Sequence, residues 1–396
     1  MFEWITKTLG EVTSYISKGI PPKYAEEKAQ NTIRVLNQKC NRNYEISYNE
    51  SRLHDLTAKD VPPDKYLRPG DVLVNSTGSG TAGRVAQILN ISTPTTIDGH
   101  MILLRSADEI DPLYYGYFVK GCQSKIETLA EGSTGQTEIN RQRLQDEIVI
   151  SFPREKQLQK KIAAILSALD EKIATNRAIN DNLYAQAKAI FDNHFINIDA
   201  IPAGWRKGNL LGIANYLNGL AMQKFRPQGH EIGLPVLKIK ELRQGLCDDS
   251  SELCSLSIKP EYIIHNGDVI FSWSGSLLVD IWCGGTCGLN QHLFKVTSDV
   301  YDKWFYYLWT AHHLARFIAI AADKATTMGH IKREELGKAE ILIPCEEDYT
   351  SFNSIMQPIF ELIISNRIES RKLAALRDEL LPKLMSGEID VSTVQL

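Results

Sequence analysis

The stretch Glu361–Glu388, ELIISNRIESRKLAALRDELLPKLMSGE, decides the fold because a related stretch lies 190 residues earlier. Most of its apolar positions are three or four residues apart, a spacing typical of a long helix that packs on another helix. The predicted seam of this coiled coil comprises Ile162, Ile165, Leu169, Asn176, Leu183 and Ile190, matched by Phe352, Ile355, Ile359, Asn366, Leu373 and Leu380. The alternative is a pair of ordinary amphipathic core helices, which would not be expected to share an offset or a paired Asn.

Length and composition set the broad class of the protein. The 396 residues predict two or three domains, and the net charge of −4 argues against a uniformly basic nucleic-acid binder, although a basic patch can coexist with an acidic remainder. The chain contains no run of 18 apolar residues and no signal pattern in MFEWITKTLG. Seven cysteines without dense spacing suit a reducing compartment, so we expect a cytoplasmic protein without a membrane span.

The repeat extends beyond the helices into strands and turns. Matching segments are Trp4 with Trp205, Tyr15 with Tyr216, Ile33-Arg34-Val35 with Leu237-Lys238-Ile239, Pro69–Val74 with Asn266–Phe271, and Asp98-Gly99-His100 with Asn290-Gln291-His292. The predicted domains are residues 1–154 (globular), 155–197 (long helix), 198–346 (globular) and 347–396 (long helix and tail). We expect the second helix to begin near Tyr349 and to stop at Pro382 and Gly387.

These segments predict an α+β protein. Two similar globular domains would be related by an approximate two-fold axis and separated by two long helices that form an antiparallel coiled coil. About 36 residues of helix correspond to roughly 54 Å, which would hold the globular domains apart. A ligand that touches both domains would be long and nearly two-fold symmetric, which favours duplex DNA.

Loops rich in hydroxyl, amide and basic side chains follow the predicted strands of both domains. Such side chains donate to phosphates or read base edges, although the same loops could be simple turns. The candidate DNA-binding residues are Lys23, Lys39, Arg42, Ser76, Thr77, Ser79, Arg84, Thr134, Gln136, Thr137, Lys224, Arg226, Lys238, Ser272, Trp273, Ser274, Ser276, Thr326, Thr327 and His330.

Tandem globular domains, each followed by a long helix, resemble the specificity subunit of type I restriction–modification systems. The ending Leu376–Ile389, LRDELLPKLMSGEI, looks like the C-terminal signature of that family. Gly267-Asp268-Val269-Ile270, Asn290-Gln291-His292-Leu293 and Pro235–Ile239 look like strands of its target-recognition domains. The resemblance covers essentially the whole chain.

The resemblance implies a DNA-recognition subunit without catalytic activity of its own, in which each globular domain reads one half of a bipartite, asymmetric site in double-stranded DNA. The helices would set the gap and dock two methyltransferase subunits, which methylate an adenine that has left the stack. Restriction subunits would join the complex. No cofactor or metal is expected in this chain, whereas S-adenosylmethionine, ATP and Mg are expected in the partner subunits.

Other motifs are weaker. Gly78–Gly83 spells G-x-G-x-x-G, but the alternating segment Arg84–Ile88 predicts a strand where a dinucleotide site requires a helix. Cys247, Cys254, Cys283 and Cys287 lack a zinc-ligand spacing. Two other functions stay open: a coiled-coil scaffold that does not read DNA, and a stand-alone DNA modification enzyme.

Overall fold

The fold consists of two units, seen in a computed structural model that describes residues 3–132, 137–323 and 329–394. Unit 1 comprises Met1–Asp170 with Ala375–Leu396, and unit 2 comprises Glu171–Ala374. Because this division falls within both long helices, each unit contains a globular part and a segment of each helix. Within the described ranges, no helix combines the length and the apolar character needed to cross a membrane.

Unit 1 is built mainly from short strands. Its elements in chain order are β1 (Trp4–Thr8), β2 (Thr13–Lys18), β3 (Tyr24–Ala25), β4 (Thr32–Leu36), β5 (Asn41–Arg42), β6 (Glu45–Ile46), β7 (Arg52–Asp55), β8 (Val72–Asn75), β9 (Val85–Gln87), β10 (Thr95–Ile97), β11 (Met101–Ser106), α1 (Pro112–Gly121), α2 (Gln123–Thr128), β12 (Ala130–Glu131), β13 (Glu138–Ile139), α3 (Arg141–Glu147), β14 (Val149–Pro153) and the first part of α4 (Lys156–Phe191).

Unit 2 repeats the order of the main strands, with different loop lengths and different short elements. After the rest of α4 come β15 (Arg206–Asn209), α5 (Leu210–Ile213), β16 (Asn215–Asn218), β17 (Leu234–Leu237), α6 (Ile239–Gln244), β18 (Leu253–Cys254), β19 (Ile263–Ile264), β20 (Val269–Ser272), β21 (Leu278–Ile281), β22 (Cys287–Leu289), β23 (Leu293–Thr297), α7 (Lys303–His312), α8 (Leu314–Asp323), α9 (Arg333–Gly337), β24 (Glu340–Ile343) and α10 (Glu346–Met385), whose last turns belong to unit 1.

Each unit contains one antiparallel and one mixed four-stranded sheet. The antiparallel sheets have the orders β2-β11-β8-β9 and β16-β23-β20-β21, and the mixed sheets have the orders β10-β4-β7-β3 and β18-β17-β22-β19. The parallel pairs are β4 with β10 in unit 1 and β17 with β22 in unit 2. The antiparallel sheets and three strands of each mixed sheet, β10-β4-β7 and β22-β17-β18, therefore repeat as predicted. The fourth strand of the mixed sheet lies beside β7 in unit 1 and beside β22 in unit 2.

Two residue matches within the repeat were wrong. Leu36 lies opposite Ile97, and Leu237 lies opposite Leu289, so Leu237 corresponds to Leu36 and not to Ile33. The strand predicted to include Lys238 ends before it, because the Glu241 carboxylate accepts the Lys238 N–H and begins α6.

The second wrong match concerns the tyrosines of β2 and β16. Ile16 lies opposite Leu104 in unit 1, and Tyr216 lies opposite Val296 in unit 2. Tyr216 therefore corresponds to Ile16, and a shift of one residue moves Tyr15 to the other face of its sheet. Tyr216 is fully buried in the larger core of its unit, whereas Tyr15 is only partly buried.

The long helices run antiparallel within unit 2. Asn176 Nδ2 donates to Glu369 Oε2 at 2.7 Å, and Asn366 Nδ2 donates to Asn180 Oδ1 at 2.9 Å, so residue numbers rise in one helix as they fall in the other. In unit 1, Ile162 of α4 shares a core with Leu384 of α10. The predicted antiparallel coiled coil is confirmed.

The predicted seam of α10 was wrong at Ile355, which is 49% exposed while the neighbouring Met356 is 1% exposed. The side chains of α10 cover the core of unit 2 as well as α4, and this core includes Met356 and Phe360. Of the other predicted seam residues, Ile162 and Asn176 are buried, and the rest are partly buried: Ile165, Leu169, Leu183, Ile190, Phe352, Ile359, Asn366, Leu373 and Leu380.

The end of α10 also differs from the prediction. The helix begins at Glu346 and continues through Pro382 to Met385, so this proline does not stop it. Gly387 has a φ of +77°, and a Cβ on it would lie 2.6 Å from the Trp4 ring, which explains the glycine just beyond the helix.

Candidate nucleic-acid interface

A hydroxyl–imidazole pair lies at the same place in both units. In unit 1, Thr77 Oγ1 is 2.8 Å from His100 Nδ1. In unit 2, Ser274 Oγ is 2.9 Å from His292 Nδ1. Each hydroxyl follows the second strand of its antiparallel sheet, β8 or β20, and each histidine precedes the strand that pairs with it, β11 or β23.

The backbone around the pair is the same in both units. In unit 1, Ser76 N–H donates to His100 O at 2.9 Å, and Ile139 N–H donates to Ser76 O at 2.8 Å. Thr77 forms an antiparallel bridge with Glu138, which completes the set of residues that we call site 1: Thr77, His100 and Glu138.

Unit 2 repeats these bonds. Trp273 N–H donates to His292 O at 3.4 Å, and Ile331 N–H donates to Trp273 O at 3.1 Å. Ser274 bridges to His330, and we call Ser274, His292 and His330 site 2. The two sites therefore share one backbone frame.

An Asx turn holds each histidine. Asp98 Oδ1 accepts the His100 N–H at 2.9 Å, and Asn290 Oδ1 accepts the His292 N–H at 3.1 Å. Asp98 is 3% exposed, and burial raises the pKa of its carboxyl group.

A glycine packs against each of these turns. A Cβ on Gly19 would overlap the carbonyl oxygen of Asp98, and one on Gly219 would overlap that of Asn290. Only glycine allows this close approach. The glycine that directly follows β2 or β16 therefore packs against the turn that holds the histidine.

On this shared frame, the side chains that face the site differ. In unit 1, Lys18 forms an ion pair with Glu138. Lys18 lies opposite Ile102 in β11, and Asn218 lies opposite Phe294 in β23, so these two residues occupy corresponding positions.

In unit 2, an indole replaces the serine at the matching position. Trp273 takes the place of Ser76, and its Nε1 donates to Asn218 Oδ1 at 2.9 Å. Its ring centre lies 6.1 Å from that of His292 and 6.2 Å from that of His330. Site 1 thus presents an ion pair, and site 2 presents an indole with two imidazoles.

Three serines were wrongly predicted to contact DNA, because they are buried; one of them, Ser274, is the hydroxyl of the pair in site 2. Ser76 and Ser272 are fully buried, and Ser274 is 4% exposed with its hydroxyl on His292. His100, His292 and Glu138 were missed as candidates, whereas His330 was among the predicted residues. An alignment of the two units at His100 and His292 could have identified this part of the frame. The role of Lys18 could not be found in this way, because it depends on a contact with Glu138, 120 residues away in the chain.

The other loop candidates lie around the sites. Ser79 and Ser276 are exposed, Thr137 is partly buried, and His330 is exposed. Arg84 Nη2 donates to Gly80 O at 3.0 Å and so closes its own loop. The predicted residues Thr134, Gln136, Thr326 and Thr327 lie outside the described residues.

The predicted phosphate-binding cations fall into two groups. Lys23, Lys39, Arg42 and Lys224 are exposed and make no ion pair with any described residue. Arg226 and Lys238 instead share Glu252, at 3.1 and 2.5 Å, and the bond from Lys238 lowers the pKa of that carboxyl group. In the described part of the chain, no group of three or more His, Cys, Asp and Glu side chains could hold a metal ion.

Comparison with known proteins gives the same family as the sequence. Residues 1–185 match the family model of the type I restriction modification DNA specificity domain. The chain is 26% identical to the specificity subunit of the type I restriction enzyme MjaIX from Methanocaldococcus jannaschii, over 98% of this chain and 94% of that protein.

Two further similarities span nearly the whole chain. The specificity subunit of the type I restriction enzyme HindI from Haemophilus influenzae is 19% identical, over 98% of this chain and all of that protein. The crystal structure of a type I restriction–modification S subunit from M. genitalium has the same fold, with a TM-score of 0.55, 16% identity and coverage of 97% and 96% of the two chains. The resemblance inferred from the sequence is confirmed: residues 1–185 match the type I restriction modification DNA specificity domain, and the chain is similar over nearly its whole length to type I specificity subunits and shares the fold of one.

Proposed function

We propose that this chain is the DNA-recognition subunit of a type I restriction–modification complex and that each unit reads one half of a bipartite site. The observation that carries this proposal is the pair of sites on one backbone frame with different side chains. A split, asymmetric DNA sequence requires two readers that dock alike and contact different bases.

The side chains of the two sites suit different base edges. The Glu138 carboxylate can accept a hydrogen bond from the exocyclic amino group of cytosine, and Lys18 can donate to a guanine acceptor. His330 can donate or accept, and the indole of Trp273 offers an apolar surface to a thymine methyl group. The two half-sites would therefore differ in base sequence.

The chain itself would carry out no chemistry in this complex. Two methyltransferase subunits would bring S-adenosylmethionine and methylate an adenine in each half-site after extruding it from the stack. Restriction subunits would bring ATP and Mg²⁺. The antiparallel pair α4 and α10 would set the gap between the half-sites and dock the methyltransferase subunits, in the cytoplasm where the DNA is accessible.

Selection from random duplexes tests the proposal. The full chain is assembled with its methyltransferase partner, and bound duplexes are sequenced. We expect a two-part motif with a fixed gap. Binding without any enriched motif would favour the scaffold alternative, and methyl transfer by the chain alone would favour the stand-alone enzyme.

A site exchange tests which residues read the bases. The triple variant Trp273→Ser, Asn218→Lys and His330→Glu gives unit 2 the side chains of unit 1. We expect the half-motif read by unit 2 to change and the other half-motif to stay the same. Val300→Ala is the control, because Val300 is 74% exposed and lies beyond the end of β23 that is farther from His292. An unchanged motif, or equal change in both halves, would contradict the assignment of the sites.

A further inference from the structure

The strands β4 and β17 correspond, and each leads into a short helical segment, Gln38–Cys40 in unit 1 and α6 in unit 2. The carbonyl oxygen of Leu36, at the end of β4, accepts the Asp98 N–H at 2.9 Å. The carbonyl oxygen of Leu237, at the end of β17, accepts the Asn290 N–H at 3.2 Å. Because these two donors belong to the matching turns that hold the histidines, the bonds align Leu36 with Leu237, in agreement with the register of the parallel strands.

The two helical segments also begin in the same way. In unit 1 the residue before the segment is Asn37, whose N–H donates to Cys40 Sγ at 3.5 Å. In unit 2 it is Lys238, whose N–H donates to Glu241 Oε2 at 3.2 Å. Each bond joins the capping residue to the residue three further along the chain, so the two segments start at the same position of the frame.

Gln38 and Ile239 are the first residues of these segments, and each lies against the glycine that follows the hydroxyl of its site. A Cβ on Gly78 would lie 2.8 Å from Gln38 Oε1. A Cβ on Gly275 would lie 3.6 Å from Ile239 Cδ1. Both side chains are partly exposed. A polar amide beside site 1 is thus replaced by a branched apolar side chain beside site 2.

The amide of Gln38 is connected to the hydroxyl–imidazole pair of site 1. Thr77 Oγ1 lies 3.4 Å from Gln38 Oε1 and 2.8 Å from His100 Nδ1. Asn75 Nδ2 donates to Gln38 O at 3.0 Å, which holds the backbone of this residue. Within the part of the chain that the structure describes, Gln38 Nε2 makes no hydrogen bond, so both of its N–H groups are open to a ligand.

An exposed lysine follows each of these residues, Lys39 in unit 1 and Lys240 in unit 2. Lys39 makes no ion pair with any described residue. Lys240 Nζ lies 3.7 Å from Asp248 Oδ2, in a pair whose side chains are 59% and 40% exposed and which is therefore weak. In both units, a side chain beside the site is followed by a cation that can bind a phosphate, as one docking mode on DNA requires.

We propose that Gln38 and Ile239 are specificity-determining residues, one for each half-site. Gln38 reads an adenine, because its amide donates to N7 and accepts from the N6 amino group of that base. Ile239 contacts the methyl group of a thymine, the apolar feature of that base in the major groove. This inference rests on the proposed function, and it adds to each site a reading position on a different element of the fold.

Base analogues in the selected duplex test Gln38 in the assembled complex. 7-Deazaadenine, placed in turn at each adenine of the half read by unit 1, removes the N7 acceptor and should weaken wild-type binding about 5-fold at one position. Gln38→Met keeps the length of the side chain without its donors. It should weaken binding to the natural duplex roughly 5- to 150-fold and abolish the sensitivity to the analogue.

A change of one functional group tests the same residue by a gain of specificity. Gln38→Glu should change the selected base from adenine to cytosine, whose amino group donates to a carboxylate. The matched control is Gln157→Met, on an exposed glutamine of α4, which should alter neither the motif nor the sensitivity to 7-deazaadenine. The half read by unit 2 should stay the same in all three variants.

Uracil in place of thymine tests Ile239. Loss of the methyl group should weaken wild-type binding about 4-fold at one position of the half read by unit 2. Ile239→Ala should bind thymine and uracil equally at this position. Because Ile239 also packs against the core of the mixed sheet, Ile239→Val is a milder second variant, which should reduce the difference in part. Val300→Ala, on a side chain that is 74% exposed, should keep the full difference. Circular dichroism melts check that each variant is folded.

The outcomes judge each residue separately from the proposed function. A wild type that enriches a two-part motif but responds to neither analogue at any position refutes both assignments without any variant, while the recognition function stands. An unchanged motif in Gln38→Glu, or full sensitivity to 7-deazaadenine in Gln38→Met, refutes the role of Gln38. Full sensitivity to uracil in Ile239→Ala refutes the role of Ile239. If the wild type enriches no motif, the proposed function fails, and this inference fails with it.

Discussion

Arg367 attaches α10 to the antiparallel sheet of unit 2. Its Nη1 donates to Asp280 Oδ1 at 2.9 Å and to Ile281 O at 2.8 Å, and its Nη2 donates to Asp280 Oδ2 at 2.7 Å. This two-pronged geometry is the strongest form of a guanidinium–carboxylate contact. Because β21 pairs with β20, which leads into site 2, the bond connects the long helix to the sheet that carries site 2.

The energy of this contact follows from its burial. Exposed ion pairs contribute about 0.2–1 kcal/mol, and breaking a fully buried pair costs about 3–5 kcal/mol. The side chains of Arg367 and Asp280 are 31% and 28% exposed, which places the pair between these limits. Arg367→Met keeps the apolar stem and removes three hydrogen bonds, so we expect it to lower the free energy of unfolding of unit 2 by about 2 kcal/mol.

Tryptophan fluorescence during urea unfolding measures this effect in the intact chain. Five of the six tryptophans lie in unit 2, and only Trp4 lies in unit 1. A double-mutant cycle with Asp280→Asn should give a coupling energy of about 1–2 kcal/mol. The control is the pair Lys172–Glu369, which joins α4 to α10. This pair is 3.5 Å long with side chains 50% and 45% exposed, and it should give less than about 0.5 kcal/mol. A coupling for Arg367 and Asp280 no larger than that of the control would refute the reasoning.

Three further predictions test the frame and the spacer. Because burial raises the pKa of Asp98, its charged form destabilises the fold, and Asp98→Asn should raise the melting temperature at pH 7. This gain should vanish as the pH falls towards the ordinary pKa of 3.8, and a gain independent of pH would contradict the prediction. Gly219→Ala should cost about 2 kcal/mol or more in urea unfolding because its Cβ would overlap Asn290 O, whereas Gly212→Ala, whose nearest neighbour would be 3.6 Å away, should cost far less. Inserting four residues, about 6 Å of helix, at matched places in α4 and α10 should change the gap in the selected motif, and an unchanged gap would exclude the spacer role.

The parts of this fold that the sequence predicted are those with a local chemical cause. The Gly-Asp turns before β8 and β20 are an example: Asp71 and Asp268 accept the backbone N–H groups of Arg68 and His265, both at 2.8 Å. This bond lies within four residues, so it can be inferred from a short stretch of sequence. The strand β9 after the glycine-rich loop was predicted for the same reason, from its alternating residues.

What could not be predicted depends on distant partners. Whether Ile355 or Met356 faces inward depends on the core of unit 2, which the same helix covers. The burial of Ser76 depends on its backbone bonds to His100 and Ile139, which come from other parts of the chain. Composition identified the loop as polar and suited to DNA, but the depth of each residue is set by these long-range contacts.

The pattern of differences between the two units separates frame positions from reading positions. Where a side chain holds the frame, the replacement preserves its hydrogen bond: Asp98 and Asn290 accept the same N–H, and Thr77 and Ser274 offer the same hydroxyl. Where a side chain faces the site, the replacement changes its chemistry, as with Glu138 and His330. A frame maintained by interchangeable bonds can accept new side chains at the reading positions without refolding. Under the proposed function, this arrangement would let one duplicated scaffold read two different half-sites, and we expect new specificities to arise at Lys18, Glu138 and their counterparts rather than in the core.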